Sequence, residues 1–208
     1  IGIIRSSSII KQALGLAVSE LGGKKKGDGV VERTQRDISM KFILSGIISV
    51  LIATFVFFQF GVLGNLTHTI IATLIVFVIS FLFTTVAANA IAIVGSNPVS
   101  GMTLMTLILS SLVLVSAGLS GTSGMMAAMI IGGVVCTALS MAGGFITDLK
   151  IGYWLGTTPA RQEGWKFLGT AVSAATIAGV MMVLNQTYGF VGENALVAPQ
   201  ANAMAAVI

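Results

Sequence analysis

The sequence predicts an all-α, polytopic membrane protein. About five transmembrane helices form a bundle behind an N-terminal amphipathic helix, with a broken helix or re-entrant turn at an Asn-Pro motif. Three observations carry that prediction. Between Lys41 and Asp148 there is no Asp, Glu, Lys or Arg, and His68 is the one basic or acidic side chain in the interval. Soluble helices keep a polar outer face, so no soluble fold is open to a charge-free stretch of that length. Charged residues make up only 9% of the chain and hydrophobic ones 55%, whereas a soluble domain is about a quarter charged. Finally, all eleven Lys and Arg fall within residues 1–41 or 150–166.

Taken in order, residues 1–41 read as a cytoplasmic region and 42–208 as a transmembrane bundle portion. Ile3, Ile4, Ile9, Ile10, Leu14, Leu16 and Val18 recur at near-helical spacing among Arg5, Lys11 and Glu20. This is the pattern of a helix lying on a membrane surface. GGKKKGDG, residues 22–29, follows as a flexible basic loop. Because about 20 apolar residues cross the hydrocarbon core, spans are expected near 42–64, 69–94, 100–119, 125–146 and 166–187, and a further helix begins near 199–208. Four crossings separate the two basic regions, so both lie on one face, which the positive-inside rule makes cytoplasmic. The absence of an initial Met and the apolar end MAAVI suggest an internal segment of a larger protein.

Glycine and alanine punctuate the fourth and fifth spans: Gly132, Gly133, Gly143 and Gly144, then Ala171, Ala175 and Gly179. Small residues let helix backbones approach closely in lipid, so close packing is the expected use.

Two stretches could carry chemistry. In Gly95-Ser96-Asn97-Pro98-Val99-Ser100-Gly101, Pro98 lacks an amide hydrogen and disfavours helix at Asn97. Residues 95–101 are therefore expected to be non-helical. At the membrane surface such a break is only a tight turn. Deeper, it frees backbone groups that persist only inside protein or beside a water-filled cavity, as in the substrate sites of secondary carriers. The second stretch holds Asp148 and Lys150 at the end of the fourth span. These read either as stop-transfer charges beside an aromatic belt of Tyr153, Trp154 and Trp165, or as a proton-linked or structural acid paired with Lys150 or a helix end. The lone Cys136 permits no intrachain disulfide. No paired carboxylates, nucleophile elbow, phosphate-binding loop or metal-ligand cluster is apparent, so neither an enzyme nor a cofactor is expected.

Three segments together resemble the oligopeptide transporter (OPT) family, which includes the yellow-stripe-like metal-chelate carriers: GSNPVSGMTLMTL (95–107), TDLKIGYWLGTTPARQ (147–162) and APQANAMAAVI (198–208). The last is close to the bacterial form. Asp148, Lys150 and Gly152 match the family pattern, while Ile146, Thr147 and Ile151 depart from it. The resemblance implies a secondary active transporter in a bacterial inner membrane. It would carry out proton-coupled symport of small oligopeptides or peptide-like metal chelates. Ser96, Asn97, Pro98, Ser100, Gly101 and Thr103 are the expected cavity-lining residues, and Asp148 and Lys150 the coupling or structural pair. The expected partners are the peptide or chelate substrate, protons, the lipid bilayer, the remaining spans of the same transporter and a second copy in a homodimer, with no nucleic acid. The competing reading is a non-transporting subunit that anchors or assembles a larger membrane complex.

Overall fold

A computed structural model of the chain describes residues 32–119 and 121–189, with positions 11, 12, 15, 18 and 19 ahead of them. The expected surface helix, the basic loop and the tail from residue 190 onward fall almost entirely outside the described residues, as does the side chain of Ser100. Among the described residues every regular element is helical. A short 3-10 turn, Arg33–Gln35, leads to α1 (Met40–Phe58), which continues as a π-helical turn, Gln59–Leu63. Then come α2 (Leu66–Val94), α3 (Val99–Ser116), α4 (Thr122–Leu155) and α5 (Pro159–Thr187). Four of these stretches are long and apolar enough to cross a membrane, and α3 is a shorter apolar helix.

The helix ends follow from local chemistry. The Asn65 side chain accepts a hydrogen bond from the Thr67 amide at 3.0 Å and so caps α2. At its other end α2 closes on Gly95, whose φ of 77° lies in the left-handed region that glycine enters without a Cβ penalty. Gly156, at φ 70°, closes α4 in the same way. Pro159 then opens α5 in the first turn, where its missing amide hydrogen costs nothing.

Two boundaries differ from the sequence expectation. Helix resumes at Val99, so the non-helical stretch is 95–98 rather than 95–101. The reason is that Pro98 obstructs the residue before it but is well suited to start the helix after it. The fourth helix, expected over 125–146, runs for 34 residues to Leu155. Asp148 and Lys150 end an apolar run without ending a helix, and no breaker appears before Gly156. At 1.5 Å per residue α4 is about 51 Å long, against roughly 30 Å of hydrocarbon. Its last turns therefore extend past the apolar layer. The first two turns of α5, with Arg161, Glu163 and Lys166, likewise precede the charge-free stretch 167–187 that does the crossing.

The bundle is organised around α4. Ala127, Ala128, Ile131, Val135 and Leu139 form its buried stripe, which meets Ala72, Ile75, Val76, Phe83, Ala87 and Ile91 of α2 and Leu114 of α3. Three close approaches fix the register of α3. Leu119 lies against Gly124, Leu107 against Gly132 and Asn97 against Gly143, so α3 runs antiparallel to α4. A Cβ at position 132 would stand 2.6 Å from Leu107 Cδ2. Glycine here is a socket for leucine, as close helix packing in lipid requires. Flanking this trio, α1 buries only Phe58 and α5 buries no residue.

Candidate functional site

Polar groups converge where the α2–α3 break meets α4 and α5. The break consists of Gly95, Ser96, Asn97 and Pro98. The Gly95 amide still donates to Ile91 O at 2.8 Å, and the Pro98 carbonyl accepts from Met102 N at 3.2 Å. The Asn97 side chain ties the break to the bundle, donating through Nδ2 to Leu139 O of α4 at 3.3 Å. This contact depends on Gly143, because a Cβ there would overlap Asn97 Nδ2. Gly95, Ser96 and the rest of Asn97 stay exposed on this chain, and Pro98 is half-buried.

The remaining expected lining residues divide. Gly101 is exposed in the first turn of α3 with nothing within 4 Å of the place its Cβ would take. Thr103 faces inward, 3% exposed, and its hydroxyl donates to Val99 O at 2.7 Å. Thr106 and Ser110 share that buried face, donating to Met102 O at 2.8 Å and to Leu107 O at 3.1 Å. These hydroxyls are satisfied by their own helix, which is how polar groups are tolerated inside a bundle.

On the next position of α4, Gly144, a second polar side chain is seated. A Cβ there would stand 2.9 Å from Lys166 Nζ of α5. The ammonium donates to Asp148 Oδ2 at 2.5 Å and lies 4.6 Å from the centre of the Phe145 ring. An opposite charge and an aromatic face together stabilise a cation better than either alone. Asp148 was expected to pair with Lys150 or a helix end, but its partner is Lys166. Lys150, two positions on, turns to another side of α4 and stands 5.8 Å from the Trp154 ring. Gln162 Nε2 donates to the Asp148 carbonyl at 2.6 Å, and Gly152 leaves room for the Gln162 and Thr157 side chains. A chain of polar contacts therefore joins α4 to the start of α5.

A third element straps this end. Arg33 Nη2 donates to Gly156 O at 2.8 Å, and Ala160 N donates to Arg36 O at 3.1 Å. Asp37 Oδ1 accepts from Ile38 N at 2.7 Å, and burial, with the Asp37 carboxylate nearby, pushes the Glu163 carboxyl up to about 7.

The break, Asp148 and the Asn-Pro motif were visible in the sequence. Lys166 was not, and Gly143 and Gly144 were expected to serve helix packing rather than to seat polar side chains. The adjacent glycines were the available signal, since a Gly-Gly pair inside a long helix weakens it unless something needs the space.

A charge-poor helical bundle with an interrupted helix and an ion pair gathered at one end defines an integral membrane protein. The chain belongs to the OPT oligopeptide transporter family: the family model, described as OPT oligopeptide transporter protein, matches residues 1–208. It is 30% identical over 160 residues to the "Putative oligopeptide transporter" of Haemophilus influenzae (strain ATCC 51907 / DSM 11121 / KW20 / Rd). That match covers 66% of this chain and 25% of the relative, so the chain spans about a quarter of the relative's length. No solved structure matches the chain.

Proposed function

We propose that this chain is the part of a secondary active transporter that contains its broken helix, and that the complete protein moves small oligopeptides or peptide-like metal chelates together with protons. The observation that carries the reading is the Asn97 anchor. A break that is merely a surface turn needs no side chain to pin it. Here position 143 carries no side chain, which leaves room for an amide to hold the break on α4, while Gly95–Asn97 stay exposed on this chain. In a bilayer such backbone must meet protein or a water-filled cavity, and peptide-like substrates offer the amides and carboxylates that free backbone groups recognise. Ser96, Asn97 and Pro98 would contact substrate. Ser100, Gly101 and Thr103 would shape the start of α3 behind them.

In this reading Asp148 and Lys166 form the coupling pair, with Lys150 outside it. Protonation of Asp148 would release the Lys166 ammonium and loosen α5 from α4. The test is uptake of labelled di- to tetrapeptides and ferric chelates by proteoliposomes holding the full-length protein, with an imposed proton gradient. Gradient-driven uptake that falls at least about tenfold in Asn97→Ala supports the proposal, given the contact energies involved. A stable, correctly inserted protein that moves none of these solutes would favour an anchoring or assembly role.

A further inference from the structure

The last turns of α2 carry a polar line that the anchored break does not account for. Thr85, Asn89 and Ala92 recur at i, i+4 and i+7, the spacing of one helix face, and Ser96 in the break continues the line. Earlier on the same face stand Leu74, Val78 and Phe81, so the polar character begins only at Thr85. Ala87 and Ile91, each two positions from Asn89, belong to the stripe buried against α4. The line therefore turns to another side of α2.

Asn89 is the residue that needs explaining. It is half-buried, yet its amide makes no hydrogen bond within the described residues. Thr85, by contrast, donates to Phe81 O at 2.7 Å and is satisfied by its own helix. An amide set against lipid loses its water and gains no partner, so Asn89 must meet protein or a water-filled space. Its depth follows from α4. Asn97 is held at Leu139 and Gly143, and Ile91 Cδ1 stands 3.3 Å from the place a Gly143 Cβ would take. Asp148, the first charge on α4, comes five residues after Gly143, about 7.5 Å along the axis. The break thus lies inside the charge boundary. Asn89 precedes Gly95 by six residues, about 9 Å, and lies deeper still.

We propose that Thr85, Asn89 and Ala92 line a water-filled inlet running from the break into the apolar layer, and that Asn89 is the residue on it that hydrogen-bonds the peptide amides of the substrate.

The residue types suit that use. An asparagine amide offers donors and an acceptor together and carries no charge. It matches a neutral group that also offers both, as a peptide bond does, better than a carboxylate or a bare cation. Ala92 leaves the line open between Asn89 and Ser96. The competing use of Asn89, a hydrogen bond to another span of the complete protein, would seal the amide from water, and that difference is measurable.

The substrate half of the inference rests on the transport reading, while the inlet does not, so two measurements are needed. Single cysteines at positions 85, 89 and 92 of the full-length protein in liposomes, with Cys136 and any other cysteine replaced, are treated with a water-soluble cationic methanethiosulfonate. All three should react at least about tenfold faster, a decade of rate, than cysteines at positions 74 and 78, whose residues are exposed in the first half of α2. Equally slow labelling at all five overturns the inlet, whatever the protein transports. The second measurement is gradient-driven uptake of labelled tetra-alanine and of its N-methylated form, which lacks the amide hydrogens. Wild type should prefer tetra-alanine. Asn89→Ala should raise KM for it about tenfold, as loss of one buried hydrogen-bond partner implies, with kcat changed far less, and should abolish the preference. Tetra-alanine should also slow labelling at position 92 with Asn89 intact, so misfolding of the alanine variant does not decide the question. A preference that persists in Asn89→Ala overturns the substrate role, as does labelling at 92 that tetra-alanine leaves unchanged. Fast labelling of a correctly inserted protein that moves neither peptides nor chelates would overturn the transport reading itself and the substrate role with it.

Discussion

The trio α2–α3–α4 and the helix α5 are built from similar residues and held in opposite ways. In the trio, small residues of α4 serve as sockets. Gly132 receives Leu107 and Gly143 receives Asn97, while Gly124 gives room to the backbone carbonyl of Leu119 in the preceding turn, with a continuous apolar stripe behind them. In α5 the small residues meet nothing: Gly164, Gly169 and Gly179 have no atom within 4 Å of the place a Cβ would take. What fastens α5 lies at its charged end. Lys166 binds Asp148, Gln162 binds the Asp148 carbonyl, the Phe145 and Phe167 rings stand 6.4 Å apart, and Thr170 donates to Met141 Sδ at 3.6 Å. Beyond Thr170 its residues are exposed up to Val183. The same composition can thus mean tight packing or a free face, and only the presence of a knob opposite each glycine tells them apart. In lipid, where helices gain nothing from mere apolar contact, that geometric match is the source of the trio's cohesion.

The comparison breaks most sharply at Gly143. Gly143→Ala places a methyl group where the Asn97 amide sits, with Ile91 Cδ1 of α2 a further 3.3 Å neighbour. Overpacking of this kind costs about 1–3 kcal/mol. The full-length protein should lose that much stability by thermal or denaturant melting and should lose uptake with it. Asn97→Ala alone, which removes one hydrogen bond to Leu139 O, should cost about 0.5–1.5 kcal/mol. Combined, the two changes should cost less than their sum, because the alanine at 97 vacates the space the methyl needs, and contacting residues couple by about 0.5–3 kcal/mol. Strict additivity would mean that Asn97 does not occupy the Gly143 socket in the membrane.

Much of this architecture is legible in the sequence. Charge-free runs name their own helices, and Pro98 after Asn97 names its own break. What was not legible depends on partners distant in the chain. Asp148 has Lys150 two positions away, and that neighbour looked like its natural partner. A helix, however, turns residues two apart to different sides, and the cation that reaches Asp148 is Lys166, on the next helix. The extent of α4 was hidden for a related reason. The hydropathy pattern marks where a helix leaves the apolar layer, which is not where it stops being a helix. Gly143 and Gly144 were read correctly as sites of close approach, but nothing in the sequence said that polar side chains, rather than helix backbones, would fill them. Arg33 and Arg36 reach Gly156 and Ala160 only because the strap folds back on the α4–α5 turn.

The attachment of α5 can be tested through its ion pair. Lys166→Met keeps a long, unbranched side chain but removes the ammonium from Phe145 and leaves Asp148 without a cation. The pair is partly open to solvent, with the Lys166 side chain 19% and the Asp148 side chain 47% exposed, so the loss should be about 1 kcal/mol, near the upper end for exposed pairs. The larger consequence is expected in the position of α5. Labels on α4 and α5 near residues 141 and 170 should report a broader separation in the variant, while labels across the α3–α4 contact should not change. Exchanging the charges, Asp148→Lys with Lys166→Asp, should restore part of the effect. A variant in which the α3–α4 separation broadened as much as the α4–α5 one would show that α5 is not fastened independently of the trio.

The smallest effect is expected at the other lysine of this region. Lys150 follows Asp148 by two positions and was the partner that proximity suggested, yet its ammonium lies 5.8 Å from the Trp154 ring, and the residue is exposed. A cation over an aromatic face in an exposed setting is worth about 0.5–1 kcal/mol, and solvent can replace most of what the ring supplies. Lys150→Met should therefore change the stability of the full-length protein by no more than that, and should leave the α4–α5 separation as it was. The two lysines form a matched pair for this purpose, since each substitution removes one positive charge from the same end of the bundle and shifts the charge distribution across the membrane equally. Any effect that arises from bulk charge, including a change of insertion topology, will appear in both variants. Only an effect that depends on the seat against Gly144 and Phe145 will be confined to Lys166→Met. If Lys150→Met were the more damaging of the two, Asp148 would be paired with its sequence neighbour in the membrane, and the attachment of α5 would have to be sought elsewhere along its length.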